Sequence, residues 1–155
     1  MGLGTVEFRQ AGQGDLPAVL ALLRDDKLGA ARENATDAAY AAAFARLLEE
    51  PDNHVILGVV DGMPVATYQI TYITGLSRGA TRRAQIESVR VASQMRGHGL
   101  GVRMFEDAAA RARAAGCGLL QLTTDATRAD AHAFYERLGF TPSHIGLKRN
   151  LTPAE

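Results

Sequence analysis

The sequence predicts an α/β fold, a mixed and mostly antiparallel central sheet flanked by helices. Three observations carry this. Two helical patterns stand near the start; three β-branched runs follow one another in the middle; and the third run leads through a glycine-rich turn into an alanine-rich helical stretch and another β-branched run. Runs joined by short turns pair antiparallel, whereas a strand–helix–strand unit places its two strands in parallel, so the sheet is mixed. At 155 residues, without repeats or linkers, the chain reads as one domain over 1–155.

In order, residues 5–11 (TVEFRQA) read as a short strand and 14–26 as a helix, with Asp15 at the N-cap and Pro17 in the first turn. Residues 28–37 are a polar break, and 38–50 a helix capped by Thr36 or Asp37 and stopped by Pro51. Strands 54–60 and 63–73 flank Asp61-Gly62, a strong hairpin signal. A loop over 75–83 precedes strand 84–92. After the glycine turn a helix runs to about Ala115, with Leu100, Met104, Phe105, Ala108, Ala112 and Ala115 on one apolar face. Residues 118–125 form a strand, 131–138 a helix capped by Asp130 and closed by Gly139, and 143–151 (SHIGLKRNL) a final strand. The predicted order is β-α-α-β-β-β-α-β-α-β.

Composition narrows the function classes. The 17 basic residues match 17 acidic ones, which argues against a non-specific nucleic-acid binder. A single cysteine, Cys117, permits no internal disulfide, and His54, His98, His132 and His144 lack metal-site spacing, so no metal is expected. No apolar run is long enough to span a membrane, the start lacks signal-peptide character, and Val6 stands where a myristoylation site needs serine or threonine. A cytoplasmic location is the expectation.

The stretch SQMRGHGLG (93–101) alternates glycine at 97, 99 and 101. Between a strand and a helix N-terminus such a turn makes an anion site. The first-turn N–H groups lack helical partners and carry the positive end of the dipole, glycines admit a phosphate close to the backbone, and Arg96 can add a charged contact. The dinucleotide pattern G-x-G-x-x-G fails at Val102, although Asp125 lies downstream where a ribose could be met. The Gly-Lys-Ser/Thr ending of an ATPase loop is absent. A tight turn that binds nothing is the plain alternative.

Gln94-Met95-Arg96-Gly97-His98-Gly99 matches the Gln/Arg-x-x-Gly-x-Gly/Ala motif of the GNAT superfamily of N-acetyltransferases, and AHAFYERLGF (131–140) resembles its second signature, Phe-Tyr-Glu-x-Leu-Gly-Phe. The two stand in the right order, one strand apart, while residues 1–83 carry no diagnostic motif. The resemblance implies a GNAT fold and acetyl transfer from acetyl-CoA to a primary amine, by direct attack in a ternary complex. It implies that Gln94, Arg96, Gly97, His98, Gly99, Leu100 and Gly101 hold the pyrophosphate. It also implies that the preceding strand, at Val89 and Val91, splays from its neighbour to admit the pantetheine arm. Tyr135 of the Phe-Tyr pair then contacts the cosubstrate and acts as general acid; the alternative is a core tyrosine. Where many members carry asparagine this chain has Arg128, which suits a CoA phosphate or ribose or a surface cap on the preceding strand, and the run TRADAHAFYERLGF (127–140) resembles a branch that includes aminoalkylphosphonate acetyltransferases. Dimers are common among such proteins.

For the base, period-two alternation singles out Glu87, on one face with Val89 and Val91, where burial would favour proton uptake. The alternatives are an ion pair with Arg82, Arg83 or Arg90, or a register shifted by a bulge. His132 reads as a locally bonded residue, and Cys117 as a small packed thiol. The acceptor site is expected where the 27–37 and 74–83 loops meet the splayed strands, with Tyr68, Ile70 and Tyr72 as lining candidates and Arg78, Arg82 and Arg83 suited to an anionic acceptor. A small-molecule amine is expected, with no nucleic acid and no membrane as partner. The rival readings are a non-catalytic acyl-CoA sensor and a nucleotide-binding regulator.

Overall fold

The alternating runs of the middle of the chain become the centre of a five-stranded sheet. In the computed structural model, which describes residues 4–152, the strands are β1 (Val6–Gln10), β2 (Asn53–Val60), β3 (Met63–Ile73), β4 (Arg83–Val91) and β5 (Leu119–Leu122). Their spatial order is β1-β2-β3-β4-β5. The first four are antiparallel neighbours and β4 and β5 are parallel. Asp61 and Gly62 both take left-handed conformations, φ 48° and 79°, and set Val60 opposite Met63. That is the turn whose twist matches the flanking strands.

The helices are α1 (Leu16–Leu23), α2 (Lys27–Arg32), α3 (Asp37–Glu49), the one-turn α4 (Ser77–Ala80), α5 (Leu100–Ala114) and α6 (Ala129–Arg137). Inside α4, Arg78 and Gly79 are left-handed, so it is a tight loop rather than a true helix. Two compact units result, Met1–Leu122 and Thr123–Glu155.

In the first unit the sheet is covered on both faces. Val19 and Leu22 of α1 and Phe44 of α3 pack with Ala11, Leu57 and Ala92 on one face. On the other, Met104, Phe105 and Ala108 of α5 meet Tyr68, Ile86 and Val89. Five of the six residues read as the apolar face of α5 are buried there; Ala115, just past its end, is half-buried. A polar staple crosses this second face. The Tyr68 hydroxyl donates to Asp107 Oδ2 (2.5 Å), Arg111 Nε donates to the same oxygen (2.8 Å), and Arg111 Nη2 donates to the carbonyl of Phe8 (3.0 Å). Each of these three side chains has a partner, so the staple fixes α5 against β3 and β1 without an orphaned charge. Tyr68 and Ile70 are therefore core, and Tyr72 stacks beside His54 at 5.9 Å.

The local cap expectations are met in part. Asp15 stands at the N-cap of α1, but its side chain makes no cap bond there; it accepts from Arg9 and from the Gly12 N–H, closing a 3₁₀ turn over Gln13–Asp15. The polar break contains α2, because Asp26 accepts the Gly29 N–H and caps one. Thr36 Oγ1 caps α3 through the Ala39 N–H (3.1 Å). Arg128, not Asp130, stands at the N-cap of α6.

The final strand does not form. Residues 141–150 have no regular structure, and Ile145, Leu147 and Leu151 are 88%, 91% and 86% exposed. Alternation decides which side chains would share a face, but a strand exists only through a ladder partner. The backbone N–H groups of Ser143 and Thr152 bond locally, to Thr141 and Asn150. The observed order ends β5-α6.

Candidate active site

Two halves of β4 differ in pairing. Arg83 to Ile86 pair with Leu119 to Leu122 of β5, and the ladder stops there. From Glu87 to Val91 the outer edge has no strand partner among the described residues. At the change of regime the register to β3 also shifts: Glu87 pairs with Gln69 and Arg90 with Thr67. Ser88 and Val89 thus stand opposite Tyr68 alone, and Ser88 takes φ 55°. This is a β-bulge, with one extra residue bending the strand and unpairing its backbone.

The bulge corrects the reading of Glu87. Before it, Ala84 and Ile86 are buried, and Ile86 meets α5; after it, Val89 meets α5 while Ala92 packs with α1 and α3. The extra residue inverts the parity. Glu87 therefore points away from the Val89 face, beside Gln69, and is exposed rather than buried. Val89 and Val91 are half-buried along the open edge.

Beyond Val91 a 3₁₀ turn, Ser93–Met95, delivers the glycine loop. Gly97 and Gly99 are left-handed (φ 81° and 77°), and a Cβ on either would meet no protein atom within 4 Å. Glycine is required here by backbone conformation, and the space beside it is open. Gly99 is the N-cap of α5 and Gly101 lies in its first turn. The Leu100 side chain is buried, so the residue can offer a ligand only its backbone. His98 Nδ1 lies 3.0 Å from the Arg96 carbonyl and 3.3 Å from that of Met95, bracing the loop from within. Gln94 is exposed.

Arg96 is exposed, and its guanidinium bonds to backbone on two sides of the loop. Its Nε donates to the Val91 carbonyl (3.2 Å) and its Nη2 to the Asp25 carbonyl (2.7 Å). The Ser93 N–H donates to Asp25 Oδ2 (2.7 Å), and Arg90 Nε faces Asp26 Oδ2 at 3.2 Å. This clasp between the α1–α2 turn and the loop has no local sequence signature.

Residues 25–26 touch the C-terminal end of β4, whereas 74–82 lead into its start, a strand length of roughly 27 Å away. Arg82 is occupied there: it donates to the Ala115 carbonyl (2.6 Å) and to Asp52 (2.8 Å), and lies over the Tyr72 ring. Cys117 is half-buried, and burial pushes its thiol pKa up, the wrong direction for a nucleophile.

The second unit carries Arg128 and Tyr135, at the N-cap and in the last turns of α6. Gly139 (φ 93°) turns the chain so that the Phe140 N–H donates to the Tyr135 carbonyl (3.0 Å). The half-buried Tyr135 ring then lies edge-on to Phe134 (5.4 Å) and Phe140 (5.9 Å). The aromatic-glycine-aromatic spacing thus orients one phenol. His132 Nε2 lies 2.9 Å from the Asp125 carbonyl, and Asp125 Oδ1 accepts the Thr127 N–H (2.9 Å). Both are engaged in shaping the turn before α6. No metal-holding cluster of three or more His, Cys, Asp or Glu occurs among the described residues.

Residues 16–140 match the model of the acetyltransferase (GNAT) family. Aminoalkylphosphonate N-acetyltransferase of Salmonella typhimurium is 31% identical over 146 residues, 94% of this chain and 91% of the relative. A probable glucosamine 6-phosphate N-acetyltransferase 2 of Oryza sativa subsp. japonica is 32% identical over 119 residues, 72% of this chain and 69% of that one. Among solved structures, a transcriptional regulator from Bacillus halodurans C-125 superposes with a TM-score of 0.90 at 39% identity, covering 95% of this chain and all of that one.

Proposed function

The chain belongs to the acetyltransferase (GNAT) family, and on that premise we propose that it transfers an acetyl group from acetyl-CoA to the primary amine of a small molecule that also carries a phosphorus oxyanion. The observation that carries the donor side is the continuity of the site. An open strand edge, Glu87 to Val91, runs through Ser93–Met95 directly into two left-handed glycines at a helix N-terminus. The N–H groups at the glycines and in the first turn of α5, where a helix leaves its N–H groups without helical partners, suit the pyrophosphate. The open edge offers the backbone hydrogen bonds that an amide-bearing arm needs, as an added strand would.

The chemistry assigned to β4 follows from the same geometry, and that assigned to Tyr135 and Arg128 rests on the likeness of their motif to the family's. The backbone released at the bulge supplies an N–H for charge developing on the thioester oxygen. Glu87, exposed on the face away from α5, takes the proton of the incoming ammonium, directly or through water. Tyr135 protonates the departing thiolate, and Arg128 contacts phosphate or ribose of the cosubstrate. Arg96 acts through the loop backbone rather than by direct contact. The acceptor class is supported by the names of the two curated relatives, whose acceptors pair an amine with a phosphonate or phosphate. Arg24, which lines a cleft with Ala92 and Gln94, and Arg90 of β4 have the matching sign. The acyl-CoA sensor is kept as the second reading because the Bacillus halodurans protein, 39% identical, is a transcriptional regulator by name.

A thermal-shift screen with CoA, acetyl-CoA, NAD and ATP, followed by thiol release across an amine panel, tests this. Stabilisation by CoA and acetyl-CoA, and turnover of 2-aminoethylphosphonate or a phosphorylated amino sugar above that of matched amines without phosphorus, is the expected result. Stabilisation by NAD or ATP alone overturns the donor; CoA binding with no amine turned over selects the sensor. Tyr135→Phe should lower kcat about 100-fold and Glu87→Gln at least about 10-fold, each with CoA affinity held within about twofold.

A further inference from the structure

A loop with glycine at alternate positions samples many conformations, and ordering them weakens binding unless something outside the loop does it beforehand. Here the outside partner is the α1–α2 turn. Asp25, half-buried, accepts two hydrogen bonds from the loop, at its carboxylate from the Ser93 N–H and at its carbonyl from Arg96 Nη2. These contacts join residues 68 and 71 positions apart, so they are tertiary rather than internal to the loop. They grip it at both ends of the 3₁₀ turn, immediately before Gly97. The next residue, Asp26, faces the other way: it caps α2 through the Gly29 N–H and lies against Arg90. Downstream, the segment is closed on itself. Arg24 Nε donates to the Glu33 carbonyl (3.3 Å), Arg24 lies over the Tyr40 ring, and the Tyr40 hydroxyl donates to Glu33 (3.1 Å). One dipeptide therefore touches the cofactor loop with its first residue and holds α2 with its second.

We propose that Asp25 is a positioning residue that sets the conformation of the 93–101 loop and couples it to α2, so that binding at the loop is felt at residues 27–32. The inference rests on the loop being the CoA site. Asp25 touches no reacting atom; it acts through Ser93 and Arg96. A merely structural staple would lower the melting temperature and leave the binding of the folded protein unchanged. A positioning residue changes the affinity of the folded protein and leaves the chemical step alone.

The test measures CoA affinity by calorimetry, steady-state kinetics, and backbone hydrogen exchange with and without CoA, on the unaltered chain, Asp25→Ala and Asp25→Asn. For Asp25→Ala the CoA Kd and the acetyl-CoA KM are expected to rise about tenfold, the scale of one charge-assisted hydrogen bond, with kcat within about twofold. Asp25→Asn should recover most of that loss, because its amide oxygen still accepts the Ser93 N–H. In the unaltered chain, CoA should slow exchange of the Gly29 and Ala30 amides as well as that of Ser93. Unchanged affinity in Asp25→Ala, equal losses in both variants, or no protection of Gly29 and Ala30 overturns the proposal. The exchange measurement decides the matter even where Asp25→Ala does not fold. Failure of the unaltered chain to bind CoA overturns the donor assignment and this inference together.

Discussion

The first four residues of β4 and the last five do different work in one strand. Arg83 to Ile86 are bonded on both sides, to β3 and to β5, and alternate regularly between the two faces of the sheet. Glu87 to Val91 keep β3 but have no partner on the outer edge among the described residues, and between the two stretches Ser88 is an extra residue with φ 55°. The first half obeys the rules that make a stable sheet. The second breaks two of them, by leaving backbone groups unpaired and by holding a non-glycine residue in the left-handed region. A strand that served only stability would have no reason to do either. The departure lies where the family's cosubstrate is proposed to lie, as expected when a site is built by local violation of a stable frame.

Removing the extra residue breaks the contrast most completely. Without Ser88, Ile86, Glu87, Val89, Arg90 and Val91 alternate without interruption, and each keeps the face it now has. Deletion of Ser88 should therefore leave a folded protein, judged by circular dichroism, with a bulge-free β4. Turnover should fall about 100-fold or more, the scale of losing one preorganised donor to developing charge. CoA binding should weaken by less than about tenfold, because the pyrophosphate end of the site is untouched. Full activity in the deletion variant would show that the bulge has no part in the reaction.

The same contrast separates what could be read in the sequence from what could not. Asp61-Gly62 and the alternating glycines announce themselves because each demands a particular backbone from a few adjacent residues. The apolar face of α5 is equally legible, being a periodicity of one segment. A bulge is one of the alternatives that alternation leaves open for Glu87, but its place cannot be read, since Ser88 sits in an ordinary β-branched run and its extra place is defined only by Tyr68 opposite. That single residue reversed the reading of Glu87. The clasp failed to show for a related reason, its partners lying 68 and 71 positions apart. Residues 143–151 show the opposite error, a strand-like alternation with no ladder in the structure. Periodicity reports what a segment is suited to; pairing and register belong to its neighbours.

Tyr68 is the β3 residue facing the bulge, and it is also the buried end of the staple to α5. Tyr68→Phe removes the hydroxyl and leaves Asp107 with Arg111, so the loss should be moderate, about 1–2 kcal/mol in denaturant unfolding. Its pH dependence has a definite sign. Burial, then the hydrogen bond to Asp107, hold the phenol pKa well above its ordinary value. A group whose folded pKa is raised contributes stability fully below its unfolded pKa and loses it as pH climbs. The stability gap between the unaltered chain and Tyr68→Phe should thus be constant at neutral pH and narrow above about pH 10, the ordinary tyrosine value. A gap that does not change with pH would place the Tyr68 hydroxyl in contact with water.

The smallest effect separates the backbone of the bulge from its side chain. Ser88 occupies a left-handed conformation that disfavours any residue with a Cβ, and its side chain is exposed. Ser88→Gly removes the strain but makes the unfolded chain more flexible, so the net gain should be about 0.5 kcal/mol, read as a small rise in denaturation midpoint. Turnover should stay within about twofold, because the unpaired N–H that the bulge exposes belongs to the backbone and survives the substitution. A large loss of turnover together with the gain in stability would move the assignment from the backbone to the Ser88 hydroxyl. The strain would then be the means of aiming that hydroxyl, and the deletion result would carry the same meaning for a side chain that is here assigned to an N–H.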